Sequence, residues 1–179
     1  MLLEIRKYTE LELTKDVQEQ IAILLQKCFP QTSYNGLHYF KQLPQHRFLA
    51  YEDDMLIGHV GIDYRVMCLN DQVVTIFGVI ELCVLEGKRN QYIGSFLLEE
   101  IEKTAKTANA DFIFLFSTTG EIYLKHGFKY VDNICTWLKI NSHKSIGIGD
   151  EFIKNEIMIK EIADKKWEAG NLDLLGYLY

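Results

Sequence analysis

Two stretches of the sequence hold residues whose types and spacing could do chemistry. In Arg89-Asn90-Gln91-Tyr92-Ile93-Gly94-Ser95 a guanidinium and small residues precede a helical pattern. Free backbone N–H groups and the positive end of a helix would converge there with cationic charge, which makes an anion site. Glycine at 94 would let the backbone approach a phosphate that a Cβ would hold away. Many helices that bind nothing open with the same composition. The second stretch is Val79-Ile80-Glu81-Leu82-Cys83-Val84, where Glu81 is the one charge in an apolar run. A carboxylate in a central strand has either a task or a partner, and Arg65 and Lys139 are candidate partners.

Other reactive residue types are present without a constellation. Cys28, Cys68, Cys83 and Cys135 are widely spaced inside apolar stretches, the pattern of buried free thiols in a reducing compartment. Cys83 reads as packing rather than as a nucleophile, since no histidine base lies near it in sequence. His38, His46, His59, His126 and His143 show no i,i+4 partner, so no metal site is expected.

The elements that must position these residues follow from periodicity. Leu3 to Tyr8 reads as a strand. Val17, Ile21, Leu24, Leu25 and Cys28 lie on one helix face, with Thr14 as cap and Pro30 just beyond the end. Residues 31–45 are ambiguous between a loop and a short helix. Phe48 to Tyr51, Leu56 to Cys68 and Val73 to Leu85 read as an antiparallel meander with turns at Glu52-Asp53-Asp54 and Asn70-Asp71. A helix begins near Ile93 or Gly94 and buries Gly94, Leu97, Leu98, Ile101, Ala105 and Ala108. Phe112 to Phe116 is a strand covered on both faces and a parallel neighbour of Val73 to Leu85. Thr118 and Glu121 have capping-box spacing for a short helix over 119–126, and Gly127 suits its left-handed stop. Phe128 to Ile140 and Phe152 to Ile159 read as strands, joined by a polar connection over 141–150.

Composition bounds the whole. With 179 residues, 48% apolar, 25% charged and only 2 prolines, the chain reads as a single domain over 1–179. Its 19 basic and 25 acidic residues give −6, so no positive field favours nucleic acid. That acidity would suit a cationic ligand such as an amine, or simply solubility. Glu4 and Arg6 interrupt any N-terminal apolar segment, and no 18-residue uncharged apolar run exists. A cytoplasmic, full-length protein without a membrane partner is expected.

The Arg89 to Ser95 junction resembles the acyl-CoA motif R/Q-x-x-G-x-G/A of the GNAT superfamily of N-acetyltransferases. Val84 stands five residues before Arg89, matching that family's V-x-x-x-x-R spacing, and Ser95-Phe96-Leu97-Leu98 resembles its helix opening. Tyr123-Leu124-Lys125-His126-Gly127-Phe128 resembles its second signature, Y-x-x-x-G-F. One position departs: the first motif glycine is Tyr92, whose side chain would either obstruct the phosphate path or point outward. The resemblance implies an α+β, GNAT-like fold: a mixed, mostly antiparallel central sheet flanked by helices and splayed between the 73–85 and 112–116 strands. It implies acetyl-CoA as co-substrate and no metal. The pyrophosphate would sit on Arg89, Asn90, Gln91, Tyr92, Ile93, Gly94 and Ser95, and the pantetheine arm along the backbone of Leu82, Cys83 and Val84. Attack by a primary amine would be direct. Tyr123 would protonate the leaving thiolate, or else pack its helix on the sheet; Glu81 would take the ammonium proton or bind the ammonium.

Within the superfamily, the stretch from Phe116 through Ser117 to Leu124, together with Asp150-Glu151-Phe152, resembles aminoglycoside 2′-N-acetyltransferases. Ser117 would then line the substrate pocket of a small cationic acceptor. The apolar tail after Trp167 reads preferentially as a strand or cap sealing the sheet, or as a homodimer contact. Two competing readings remain: a non-catalytic acyl-CoA sensor or interaction module, and a binder of another nucleotide.

Overall fold

The computed structural model describes residues 3–179, so Met1 and Leu2 of the expected domain lie outside the described residues. The chain divides into two units, one of residues 3–63 and 79–101 and one of residues 64–78 and 102–179. Strands β3 (Met55–Leu69) and β4 (Gln72–Val84) each contribute residues to both.

In the first unit β1 (Leu3–Thr9) pairs antiparallel with β2 (His46–Glu52), from Leu3 opposite Glu52 to Thr9 opposite His46. β2 pairs antiparallel with β3 around the turn at Asp53, with an irregularity between Ala50 and Tyr51. Helix α1 (Lys15–Cys28) starts where the Thr14 hydroxyl accepts from the Val17 amide at 3.4 Å. It ends where Pro30, which has no N–H, follows Phe29. Its apolar stripe buries Ile21, Leu24 and Leu25 against Leu49, Tyr51, Leu56 and Cys83. The opening of α2 (Ile93–Thr107) lies on the other face of β3. A Cβ on Gly58 would come 3.2 Å from Ile93, a tight approach that glycine accommodates without moving its neighbours. Residues 31–45 form no helix; they turn back over the sheet and bury Tyr34.

In the second unit β4 pairs parallel with β5 (Phe112–Phe116) over Ile76–Phe112 to Gly78–Phe114. β5 pairs antiparallel with β7 (Lys144–Glu161), and β7 with β6 (Lys129–Asn141). The core is aromatic: Phe112 meets Trp167 edge-on at 5.0 Å, and Met67, Ile76, Ile157, Ile159 and Leu172 close around them.

Two expectations from the sequence are corrected, and the preferred reading of the tail holds. The expected polar connection over 141–150 is a tight turn at Ser142-His143 followed directly by the long β7, whose arm is laddered to β6 from Asn141–Lys144 to Trp137–Gly149. Apart from Gly149 its residues are exposed on both faces, so no buried alternation marks it in the sequence. The short helix α3 spans Glu121–Lys125 with Gly120, not Thr118, at its N-cap and no side-chain cap. Ser117 takes the local role instead, its hydroxyl accepting from the Thr119 amide at 3.2 Å. The tail is strand β8 (Gly170–Tyr177), parallel to β6 and antiparallel to Cys68–Leu69 of β3. This is the sealing role, helped by Arg65, which donates to the Tyr177 carbonyl at 2.8 Å and stacks over the Tyr179 ring at 4.6 Å. Among the described residues no helix is long and apolar enough to cross a membrane.

Candidate active site

The junction between β4 and α2 is built by the backbone. Asn90 and Tyr92 take left-handed angles, φ +61° and +62°, which reverse the chain before α2. Tyr92 stands at the N-cap, its carbonyl accepting from the Phe96 amide at 2.9 Å. The first amides of a helix have no intrahelical acceptor, and a tyrosine at the cap brings no short side-chain oxygen to replace one. The amides of Ile93, Gly94 and Ser95 are thus disposed for an external anion. Tyr92 is 75% exposed, so of its two possible dispositions it takes the outward one. The left-handed conformation costs a non-glycine residue roughly 1–2 kcal/mol, a physical reason for glycine at such a position. Arg89 is exposed and anchored by Nε to the Val84 carbonyl at 3.1 Å, while Lys88 is held by Glu52. Helix end, guanidinium and outward Tyr92 together fit a diphosphate.

Glu81 lies a few residues earlier on β4, and it too is left-handed, φ +54°. The two expected partners have other contacts. Arg65 belongs to the Tyr177 contact, and Lys139 pairs with Glu151 at 3.4 Å. Glu81 instead faces the phenol of the buried Tyr34. Burial raises its carboxyl to about 7, against the opposing pull of Tyr34 and of Arg47. In return, burial and the Glu81 charge push the Tyr34 phenol well above its ordinary value. Glu81 is therefore a carboxylate that exchanges its proton near neutrality.

Around it runs a polar chain that the sequence analysis did not single out. The Glu10 carboxylate binds His38 Nε2 and Arg47 Nε, each at 2.7 Å. Arg47 Nη1 lies 2.8 Å from His59 Nε2, and His59 Nδ1 lies 3.0 Å from the Glu81 carbonyl. Arg47 and His59 are both fully buried. The signal that marks Glu81, a polar residue inside an apolar strand, applies equally to Arg47 before Phe48-Leu49 and to His59 between Gly58 and Val60.

Leu82, Cys83 and Val84 continue β4 toward the junction, and Cys83 is buried in the α1 cluster. Its thiol faces that of Cys28, which is lowered to about 7 by this neighbour first and, further, by the Arg89 charge. Tyr123 and Ser117 belong to the second unit. Tyr123 lies on α3, half-buried and edge-on to Phe128 at 5.6 Å; Ser117 sits just past β5, its amide on the Glu156 carbonyl at 2.7 Å. Among the described residues no group of three His, Cys, Asp or Glu side chains could hold a metal.

Comparison with known proteins places these features in context. Residues 5–131 match the family described as acetyltransferase (GNAT) domain. The fold is similar to a GNAT family N-acetyltransferase, YhbS, from Escherichia coli in complex with CoA, with TM-score 0.65, 15% identity, and 96% of this chain and 88% of that one covered. It is also similar to a GNAT family acetyltransferase from Brucella melitensis in complex with acetyl-CoA, with TM-score 0.55, 20% identity, and 72% and 84% covered. A curated protein of Amsacta moorei entomopoxvirus, named as a candidate glycylpeptide N-tetradecanoyltransferase, is 26% identical over 120 residues. That match takes in 67% of this chain, which spans 38% of the length of that relative.

Proposed function

Because the chain belongs to the acetyltransferase (GNAT) domain family, we propose that it moves an acyl group, acetyl in the first instance, from a coenzyme A thioester to a primary amine. The observation that carries this reading is Glu81, a half-buried carboxylate raised to about 7 a few residues before a helix end suited to a diphosphate. Bound acyl-CoA would supply an activated thioester carbonyl. The amides of Ile93, Gly94 and Ser95 hold its pyrophosphate, the Arg89 to Tyr92 turn flanks them, and Arg89 adds charge. The backbone of Leu82, Cys83 and Val84 would pair with the pantetheine arm.

Glu81 accepts the proton that an ammonium must lose before it can attack, and a base near 7 does this at physiological pH. Tyr123 gives a proton to the departing sulfur; that assignment rests on its place in the Y-x-x-x-G-F run. The acceptor we favour is a small cationic amine, with an aminoglycoside as one candidate and Ser117 among the residues lining its pocket. The name of the viral relative adds a peptide with N-terminal glycine, and a tetradecanoyl donor, to the candidates. A second reading, a non-catalytic acyl-CoA sensor, is favoured by Tyr92 standing where the motif has glycine.

Thiol release from acetyl-CoA and tetradecanoyl-CoA, measured against an aminoglycoside, a polyamine and a glycine-terminated peptide, tests the proposal. Amine-dependent release is expected, with Glu81→Gln lowering kcat by roughly 10²-fold or more and Tyr123→Phe also slowing it. Binding of the donor without turnover on any amine would favour the sensor.

A further inference from the structure

A positive φ inside a strand needs an explanation. At Glu81 the left-handed angle turns the peptide out of the regular ladder, and its carbonyl meets His59 Nδ1 at 3.0 Å. Cα register puts Leu49 of β2 opposite His59 and Arg47 opposite Gly61. Arg47 and His59 therefore share one face of the strand pair, the face covered by Tyr34 and by Pro44, which a Cβ on Gly61 would approach to 3.1 Å.

The protonation of this chain is dictated by its members. A guanidinium can only donate, so His59 Nε2 accepts from Arg47 and the ring proton sits on Nδ1, from which it is donated to the Glu81 carbonyl. Burial, followed by the Arg47 charge, lowers His59 to about 3, so the ring stays neutral across the working range. Arg47 is itself oriented by Glu10, which His38 braces from the other side. The arrangement is a costly one: Arg47 is fully buried, and its Nη2 has no hydrogen-bond partner among the described residues.

We propose that His59, held in one tautomer by Arg47, is a positioning residue that fixes the left-handed peptide of Glu81 and so aims its carboxylate between Tyr34 and Arg47. This deepens the reading of Glu81 as the base and rests on it for its catalytic meaning. The groups facing the carboxylate are Tyr34 from the 31–45 loop, Arg47 from β2, and Cys83 from β4, with His59 on β3 bound to its peptide and Glu10 and His38 behind Arg47. Loss of the His59 bond releases the peptide, and the carboxylate then loses the neighbours that favour its charged form.

The test is carboxyl ¹³C NMR titration of the ligand-free protein, the Glu81 resonance assigned by its loss in Glu81→Gln. His59→Leu removes both ring bonds and should move the Glu81 midpoint upward by half a pH unit or more. His59→Asn, whose side-chain N–H stands in the place of Nδ1–H, should bring it back, whereas His59→Gln, which stands in only for Nε2, should not. Asn and Gln remain comparable should the leucine variant fail to fold. Equal midpoints in wild type, His59→Asn and His59→Gln would overturn the positioning role. Turnover of Glu81→Gln reads the other half separately: a wild-type rate would overturn the base assignment, whatever the titration of the His59 variants shows.

Discussion

The Tyr34 phenol faces the Glu81 carboxylate beneath the 31–45 loop, and each residue shifts the protonation of the other. The phenol is held neutral, and its hydroxyl favours the carboxylate form that burial opposes. Removing the hydroxyl therefore has a predictable sign. Tyr34→Phe should raise the Glu81 midpoint from about 7, by roughly one unit for the loss of one polar contact to a charged group. If Glu81 is the base, activity is present above its midpoint and lost as pH falls through it. A pH–rate profile of Tyr34→Phe should show the acidic limb displaced to higher pH; an unmoved limb would mean that the titrating base is another group.

Cys28 should be the reactive thiol. It is half-buried and faces Cys83 and the Arg89 charge, and its midpoint is lowered to about 7; burial drives Cys135 to about 12. Alkylation by iodoacetamide at pH 7.5 should mark Cys28 well before Cys135. Cys83→Ala removes the leading cause of the shift and should move the pH midpoint of Cys28 labelling upward. Labelling of Cys135 first would contradict the arrangement.

Reading the sequence reached the elements that repeat. The α1 and α2 stripes, the 73–85 strand, the apolar 112–116 run and the basic turn before Gly94 each carry a periodic or compositional mark, and with the two motifs they made the fold legible. What escaped was carried by contacts distant in sequence. Glu81 stood out as a charge in an apolar strand, but Tyr34, its actual partner, lies in the irregular 31–45 segment, which has no periodicity to read. Arg47 and His59 meet only after β2 and β3 pair. The β7 arm was hidden because a strand mostly exposed on both faces and containing Gly147 and Gly149 has the composition of a loop.

In the second unit Asp111 accepts from the Thr75 amide at 2.8 Å, the Thr75 hydroxyl at 3.0 Å and Lys165 at 2.9 Å. Burial would raise its carboxyl, but Lys165 and Thr75 outweigh it and the net shift is downward. Its contribution is thus present above the unfolded carboxylate midpoint near ~4 and is lost as pH falls through the lower folded value. Asp111→Asn should lower stability at pH 7 by about 1–3 kcal/mol, and the deficit relative to wild type should shrink in urea titrations toward pH 3. A deficit that did not change with pH would place the loss in packing instead.

The most direct measurement is calorimetric titration of acetyl-CoA into the wild type and Gly94→Glu, with CoA and ATP as controls. A carboxylate at the helix opening would face the same amides that the pyrophosphate needs. Saturable micromolar binding of acetyl-CoA and CoA, far weaker binding of ATP, and loss of binding in Gly94→Glu are predicted. Absent acetyl-CoA binding to the wild type, or binding that Gly94→Glu leaves intact, would contradict the assignment of the junction after β4 as the acyl-CoA cradle.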